Sequence, residues 1–435
     1  MNKVVAIDGH NLALQRGTGV ATYARNLADH VSQMGWSTRT LYGAPISPKL
    51  PPLLREISFF DYLGGTAPNR KIFSTATSYV KSAFAAPFGY EASPISVSGK
   101  VETARFTERL PGESDIWNVT DLFSVARAHF RRYGKFLTVR LPNKPDVMHW
   151  TYPLPIRVAG VPNIYTIHDL VPLRLPYTTL DNKRYYYRLI KSCLETSAHI
   201  CTVSERSKAD IIDLFGTHPQ HISNTYQAVD TSDMSASKSL HDAELEVEGI
   251  FGLKPRSYFL FFGAIEPKKN VGRLVEAFLS ARLDTQLVIV GSLAWKADEE
   301  MKLINAMLKQ RPDLKSRIHV FDYTPRSFLI SLIRVAKAVV FPSLYEGFGL
   351  PILEAMQLGT PTLCSTGGSL PEIAGEASVI VDPYNVNSIA HGLRQLDQDT
   401  ELRTQLTARG IARAQMFDST AYIDRLQTMY NRVLP

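Results

Sequence analysis

Cysteine is scarce. Cys193, Cys201 and Cys364 are the three in 435 residues, and no two form a C-x-x-C pair. That excludes a disulfide-stapled scaffold and a zinc site of the usual spacing, and it leads to the expectation of reduced core thiols in a cytoplasmic protein. Long apolar runs are also missing, and nothing approaches the ~18 residues of a membrane span. The opening MNKVVAIDGHNL meets a charge after a few apolar residues, so it reads as a buried strand and not as a signal peptide. A dinucleotide fingerprint is absent too. Gly17-Thr18-Gly19 supplies G-x-G, but the third glycine position holds Thr22 and the loop lies too far behind the strand for a nicotinamide enzyme. One D-x-D, Asp397-Gln398-Asp399, falls between helical patterns and not at a strand end, which makes it a poor metal motif.

What is present is a hydrophobic content of 45% and a charged content of 20%, the balance of a soluble globular chain, at a length that calls for two domains. Apolar strand patterns alternate with helical ones in both halves: Val4–Gly9, Thr38–Tyr42, Pro145–Trp150 and Asn163–His168 in the first, Tyr258–Phe262, Gln286–Ser292 and Arg317–Pro325 in the second. This predicts an α/β protein of two doubly wound parallel units. The boundaries expected are 1–228 for the first domain, 229–254 for a linker, 255–417 for the second domain, and 418–435 for a terminal helix. Residues 44–140 are broken by proline, serine and glycine clusters and read as an elaboration of the first domain.

The formal net charge is +7. Part of the excess is local: Arg127, Arg131, Arg132, Lys135, Arg140 and Lys144 face two Asp between Asp121 and Trp150. The segment FRRYGKF (Phe130–Phe136) interleaves bases with aromatics. It reads either as a solvated helix face or as a peripheral contact with anionic membrane, each base near such a surface being worth roughly 1 kcal/mol. No nucleic-acid motif accompanies the charge.

The most informative stretch is Phe341–Glu354, FPSLYEGFGLPILE. A short strand precedes it, two glycines (Gly347, Gly349) form a turn, and a helical pattern begins near Leu350 with Pro351 in its first turn, where proline is tolerated. A helix N-terminus at such a turn suits a phosphate. Glu346 and Glu354 flank it with seven residues between them.

This string, extended to PSLYEGFGLPILEAMQLGTPTLCSTGGSLPEIAG, resembles the Glu–seven–Glu motif of retaining family 4 glycosyltransferases, which have the GT-B fold. TIHDLVPL and IEPKKN resemble the same family, on its mannosyltransferase-like side. The resemblance covers the first forty residues and the chain from about Pro145 to the tail, not Ala44–Arg140. It implies two Rossmann-like domains facing a cleft and transfer of a sugar from a nucleotide sugar, GDP- or UDP-linked with GDP-mannose first, to a saccharide or lipid-linked saccharide in surface polysaccharide synthesis. No metal and no further cofactor are implied. His168 and Glu346 would meet the transferred sugar, and Lys269 and Lys268 the diphosphate. Gly19, Gly347, Phe348, Gly349 and Leu350 would line the donor site, Glu354 would bind the ribose, Asp169 would orient His168 or touch acceptor, and Tyr323 would stack on the base. The position after Gly263, often Arg in the family, is Ala264 here. The alternatives are a nucleotide-sugar 2-epimerase-like isomerase and a non-catalytic nucleotide-sugar binding protein.

Overall fold

The computed structural model of the protein describes residues 3–14, 19–65, 89–111, 115–229, 238–292, 316–322 and 324–434, with isolated positions at 302, 306 and 309. The Gly17–Thr18 part of the first glycine loop, residues 230–237, and Tyr323 lie outside the described residues.

Two large sheets carry the fold. The first runs through β1 (Val4–Asp8), β2 (Ser37–Tyr42), β4 (Ser93–Ile95), β5 (Asp115–Asn118), β7 (Val147–Trp150), β9 (Asn163–Ile167), β10 (His199–Thr202) and β11 (Ile222–Asn224), in the spatial order β11-β10-β9-β7-β1-β2-β5-β4. Every pairing in it is parallel except β4 with β5. The second holds β12 (Tyr258–Phe262), β13 (Gln286–Val290), β14 (Ile318–Phe321), β15 (Ala338–Phe341), β16 (Thr362–Ser365) and β17 (Ser378–Val381), all parallel, in the order β14-β13-β12-β15-β16-β17. A small third sheet joins β3 (Tyr90–Glu91), β6 (Leu137–Arg140) and β8 (Ile156–Val158).

Helices cover both faces of the two large sheets, so their central strands are continuous apolar runs: every residue of β9, β12 and β15 is buried. In each sheet the order reverses beside the first strand, between β1 and β7 and between β12 and β15. A crevice at the carboxyl ends of the strands opens at such a point. The expected pair of doubly wound Rossmann-like domains is what the chain forms.

The stretch 44–140, read as an elaboration of the first domain, enters that domain's sheet: β5 and β4 extend it beyond β2, and Asn118 is tied to Ala44 in both directions. The stretch 229–254, expected as a linker, is not a plain one. Leu240–Phe251 is a helix opened by a capping box between Ser239 and Asp242. Its Ala243 and Val247 join the core of Leu332, Ile333 and Val335, which makes it part of the second domain.

The helix Ser419–Tyr430 packs on the first domain, the crossing that the family resemblance implies. Asp418 caps it, and Tyr422 packs edge-on against His30. The Tyr430 hydroxyl is 2.7 Å from His149 Nδ1, whose Nε2 lies 2.8 Å from the Thr166 hydroxyl. Burial, and then the neighbouring His168 and His199, push His149 down to about 3, so it is a neutral core histidine. All three cysteines are buried and free. Among the described residues no helix is long and apolar enough to cross a membrane.

Candidate active site at the interdomain cleft

The first domain contributes a wired set of strand ends. Asp8, closing β1, accepts from the Thr151 amide at 2.5 Å and the Thr151 hydroxyl at 2.9 Å, just beyond β7. Burial lifts the Asp8 carboxyl to about 6 against the pull of those bonds. His168 follows β9, and its Nε2 is 2.8 Å from the Thr151 carbonyl. That contact fixes the proton on Nε2 and leaves Nδ1 as an acceptor. Burial lowers the His168 pKa in spite of this hydrogen bond and of Asp169 nearby, so the ring is neutral. The ring also lies edge-on to Tyr23, centroids 4.8 Å apart. Asp169 is held through its backbone: its carbonyl accepts from the Tyr186 hydroxyl at 2.9 Å.

The second domain contributes a loop on each side of its switch point. After β12 the chain turns at Gly263 (φ 137°) and meets Gly291, where a Cβ would sit 1.8 Å from the Gly263 carbonyl. Only glycine permits that approach. The loop then presents Lys268 and Lys269. After β15 comes Glu346, buried, with Oε1 2.7 Å from Lys269 Nζ. Burial alone would raise the Glu346 pKa. Lys269 and then Lys268 outweigh it, and the carboxylate is held below its usual range. Conversely, burial works against the charge on Lys268, but Glu346, Asp169 and Glu266 overcome it and raise its pKa. The Leu344 amide donates to the Lys268 carbonyl at 2.7 Å, stitching the two loops together. Gly349, at φ 114°, turns the chain into the helix Leu350–Gln357. The first-turn N–H groups of that helix have no intrahelical partner.

The two walls meet at Gly347. A Cβ there would lie 2.6 Å from the His168 carbonyl and 2.9 Å from Asp169 Cβ. Ser207 Oγ donates to that same carbonyl at 2.7 Å. Leu350 reaches within 3.9 Å of where a Gly19 Cβ would be, Gly19 being the first residue of the helix Gly19–Gln33. A cavity of about 450 Å³ opens at this junction, lined by His168, Asp169, Tyr152 and Asp181 from the first domain and by Glu266 and Lys268 from the second.

His168, Asp169, Gly347, Glu346, Lys268 and Lys269 come together at this junction, while Tyr323 lies outside the described residues. The Phe348 ring is buried and packs against Tyr226 and Phe417. Lys269 is engaged by Glu346, while Lys268 is the lysine on the cavity wall. Glu354 is gripped by Arg326 through two bonds of 2.7 and 3.1 Å. Sequence reasoning missed Arg326, which follows the proline that opens the neighbouring helix Arg326–Val335. It also missed Tyr152, Asp181 and Glu372. The last crosses the cleft to accept from the Glu205 and Arg206 amides at 2.7 and 3.0 Å, capping a helix of the other domain. Among the described residues no three His, Cys, Asp or Glu side chains gather as a metal would require. Asp397 instead pairs with Lys337 at 2.6 Å, and Asp399 caps the helix Thr400–Ala414.

Two family descriptions match the chain: "Glycosyl transferases group 1" over residues 248–413 and "Glycosyltransferase Family 4" over 101–233. The second reaches into the stretch where no motif resemblance is visible. The chain is 34% identical over 260 residues to O-antigen chain mannosyltransferase B of Escherichia coli, covering 58% of this chain and 66% of that one. It is 28% identical over 287 residues to the serotype-specific mannosyltransferase WbdA of Escherichia coli, covering 63% of this chain and 34% of WbdA. The chain thus spans just under two thirds of the first relative and about a third of the second. Among solved structures, HepE from Anabaena in complex with UDP and glucose superposes with a TM-score of 0.67 over 99% of this chain and 100% of that one, at 13% identity.

Proposed function

Since the chain belongs to the family 4 glycosyltransferases, with the GT-B fold and a mannosyltransferase-like character, we propose that it moves a sugar from a nucleotide sugar to a hydroxyl of a glycan acceptor in surface polysaccharide synthesis, with retention at the anomeric carbon. Mannose from GDP-mannose is the donor to test first, because the curated relatives are named mannosyltransferases. The observation that carries the reading is the closure of Glu346–Lys269 against His168–Asp169 across Gly347.

Departure of the leaving group puts negative charge on the diphosphate and positive charge on the sugar ring. Lys268, on the cavity wall, and the first-turn amides at Gly349 and Leu350 stabilise the former. A fixed donor of this kind is worth about 2.7–4 kcal/mol of barrier. Glu346, ionised and locked by Lys269, faces the latter. His168 is neutral with its lone pair on Nδ1, so it accepts from a sugar hydroxyl and adds no cation beside the forming positive centre. Glu354, oriented by Arg326, takes the ribose. The amide and lysine set holds the diphosphate without a metal, and contact with an anionic membrane surface brings a lipid-linked acceptor to the cleft.

The test is a donor screen by thermal shift and hydrolysis across GDP- and UDP-sugars. At least one nucleotide sugar must stabilise the protein, and stabilisation by none overturns the reading. Glu346→Gln must abolish transfer while sparing nucleotide binding, and full transfer in that variant removes its role. A rearranged sugar formed from donor alone, with no acceptor, marks an isomerase instead.

A further inference from the structure

A second cavity, of about 690 Å³, lies in the first domain away from the cleft, where the helices Leu122–Tyr133 and Lys183–Thr196 end side by side. That volume falls within the range of small-molecule sites. Tyr133, half exposed, and Phe136 offer ring faces. Around them stand Lys135, Arg157, Glu195 and His129. His129 is buried, tilted against Tyr133 with centroids 4.9 Å apart, and its Nδ1 has no hydrogen-bond partner. A buried polar atom left this way costs about 1–3 kcal/mol unless something completes it. Burial and then Lys135 lower the His129 pKa, which keeps the ring neutral.

The same helices connect this cavity to the cleft. Tyr186 lines the cleft cavity, while Ser192, Glu195 and Thr196, on the same helix, line the second. At 1.5 Å per residue, Tyr186 and Glu195 are roughly 14 Å apart. Along this helix the two meet in a seam of exposed bases over aromatic rings: Arg131 lies 5.5 Å from the Tyr185 ring and Arg188 5.7 Å from the Phe130 ring.

We propose that this cavity is an accessory saccharide-binding site, which holds a distal portion of the acceptor glycan while its reacting end lies in the cleft. The inference rests on the reading of the acceptor as a glycan. Sugars present an apolar ring face and a rim of hydroxyls. The cavity presents aromatic faces and both donors and acceptors, which is what that chemistry needs. The Glu195 carboxylate in this wall repels a lipid phosphate, whereas it can accept from a sugar hydroxyl.

The test compares a disaccharide and a hexasaccharide of α-linked mannose on the full chain, by calorimetry without donor and by transfer kinetics with it. The variants are Tyr133→Ala and Arg157→Ala, each checked for unchanged thermal stability. The wild type should bind the hexasaccharide more tightly. Each variant should lose about tenfold of that affinity, with a matching rise in acceptor KM, while kcat and disaccharide binding stay fixed. Equal affinities for both lengths, or variants indistinguishable from wild type, overturn the proposal. So does a variant that loses binding to anionic phospholipid vesicles and keeps hexasaccharide binding, since that assigns the face to lipid. If no nucleotide sugar is turned over, the transferase reading falls, while the donor-free calorimetry still decides the cavity.

Discussion

The two domains build their halves of the cleft by opposite means. In the second, the segment from β15 through Glu346 to Glu354 brings strand end, turn, carboxylate and helix N-terminus in sequence order, and Lys268, Lys269 and Arg326 are added from two neighbouring elements. In the first, the wall is assembled from the ends of β1, β7 and β9, with Asp8 holding Thr151 and Thr151 holding His168 across 143 and 17 residues of chain. A wall made largely of one segment depends more on local geometry. One made of three strand ends depends on the whole sheet and on the terminal helix behind it.

The largest effect expected separates these modes through pH. His149 sits behind the first wall with its pKa pushed down to about 3. A depressed folded-state value means that its stabilisation is complete above the unfolded value of about 6.5 and is lost as pH falls toward 3. At 1.36 kcal/mol per unit this amounts to up to about 5 kcal/mol. Denaturant unfolding from pH 7 to 4 should show the first domain weakening first, and His149→Gln should flatten that slope. An unchanged slope in the variant breaks the contrast.

Next comes the junction itself. Gly347→Ala places a methyl group against the His168 carbonyl, which is backbone and cannot rotate away. Overpacking of this kind costs about 1–3 kcal/mol, and it should appear as a lower Tm together with reduced transfer. Loss of transfer with Tm unchanged would mean that the walls can separate freely. The smallest effect expected is local to the second wall. Arg326→Lys breaks a two-bond grip on Glu354 that a lysine cannot reproduce. Donor KM should rise about tenfold, the equivalent of about 1.4 kcal/mol, with kcat nearly unmoved. A fall in kcat instead would tie Glu354 to the chemistry rather than to donor binding.

The same contrast governs what could be read from the residues alone. The second domain was legible because its strands are unbroken apolar runs and its functional groups are neighbours in sequence. Arg326 escaped because its partner lies on another element 28 residues away, and nothing about Pro325–Arg326 announces a carboxylate. The helix Leu240–Phe251 did leave a signal: Ser239 and Asp242 at capping-box spacing, with Ala243 and Val247 on one face. The polar residues just before it hid that signal. In the first domain β5 is four residues, DIWN, with no period to read. Its place beside β2 is decided by pairing partners some 75 residues earlier, and no local pattern encodes that. Lys268 and Lys269 were visible as a pair, but which of them faces the cavity depends on the buried position of Glu346.

The contact between His149 and Tyr430 also has a consequence in time. The imidazole and the hydroxyl are 281 residues apart. At synthesis rates of about 5–20 residues per second, β7 leaves the ribosome roughly 15–60 s before its partner exists. Through that interval the first domain carries an unmatched ring nitrogen and an uncovered apolar face around Trp36 and His30. It finishes folding only when the second domain has been made and its last helix swings back. The first domain's wall is first in the chain and last to be completed, so a ribosome-bound fragment ending before Ser419 should present a second domain that is folded and a first domain that is not.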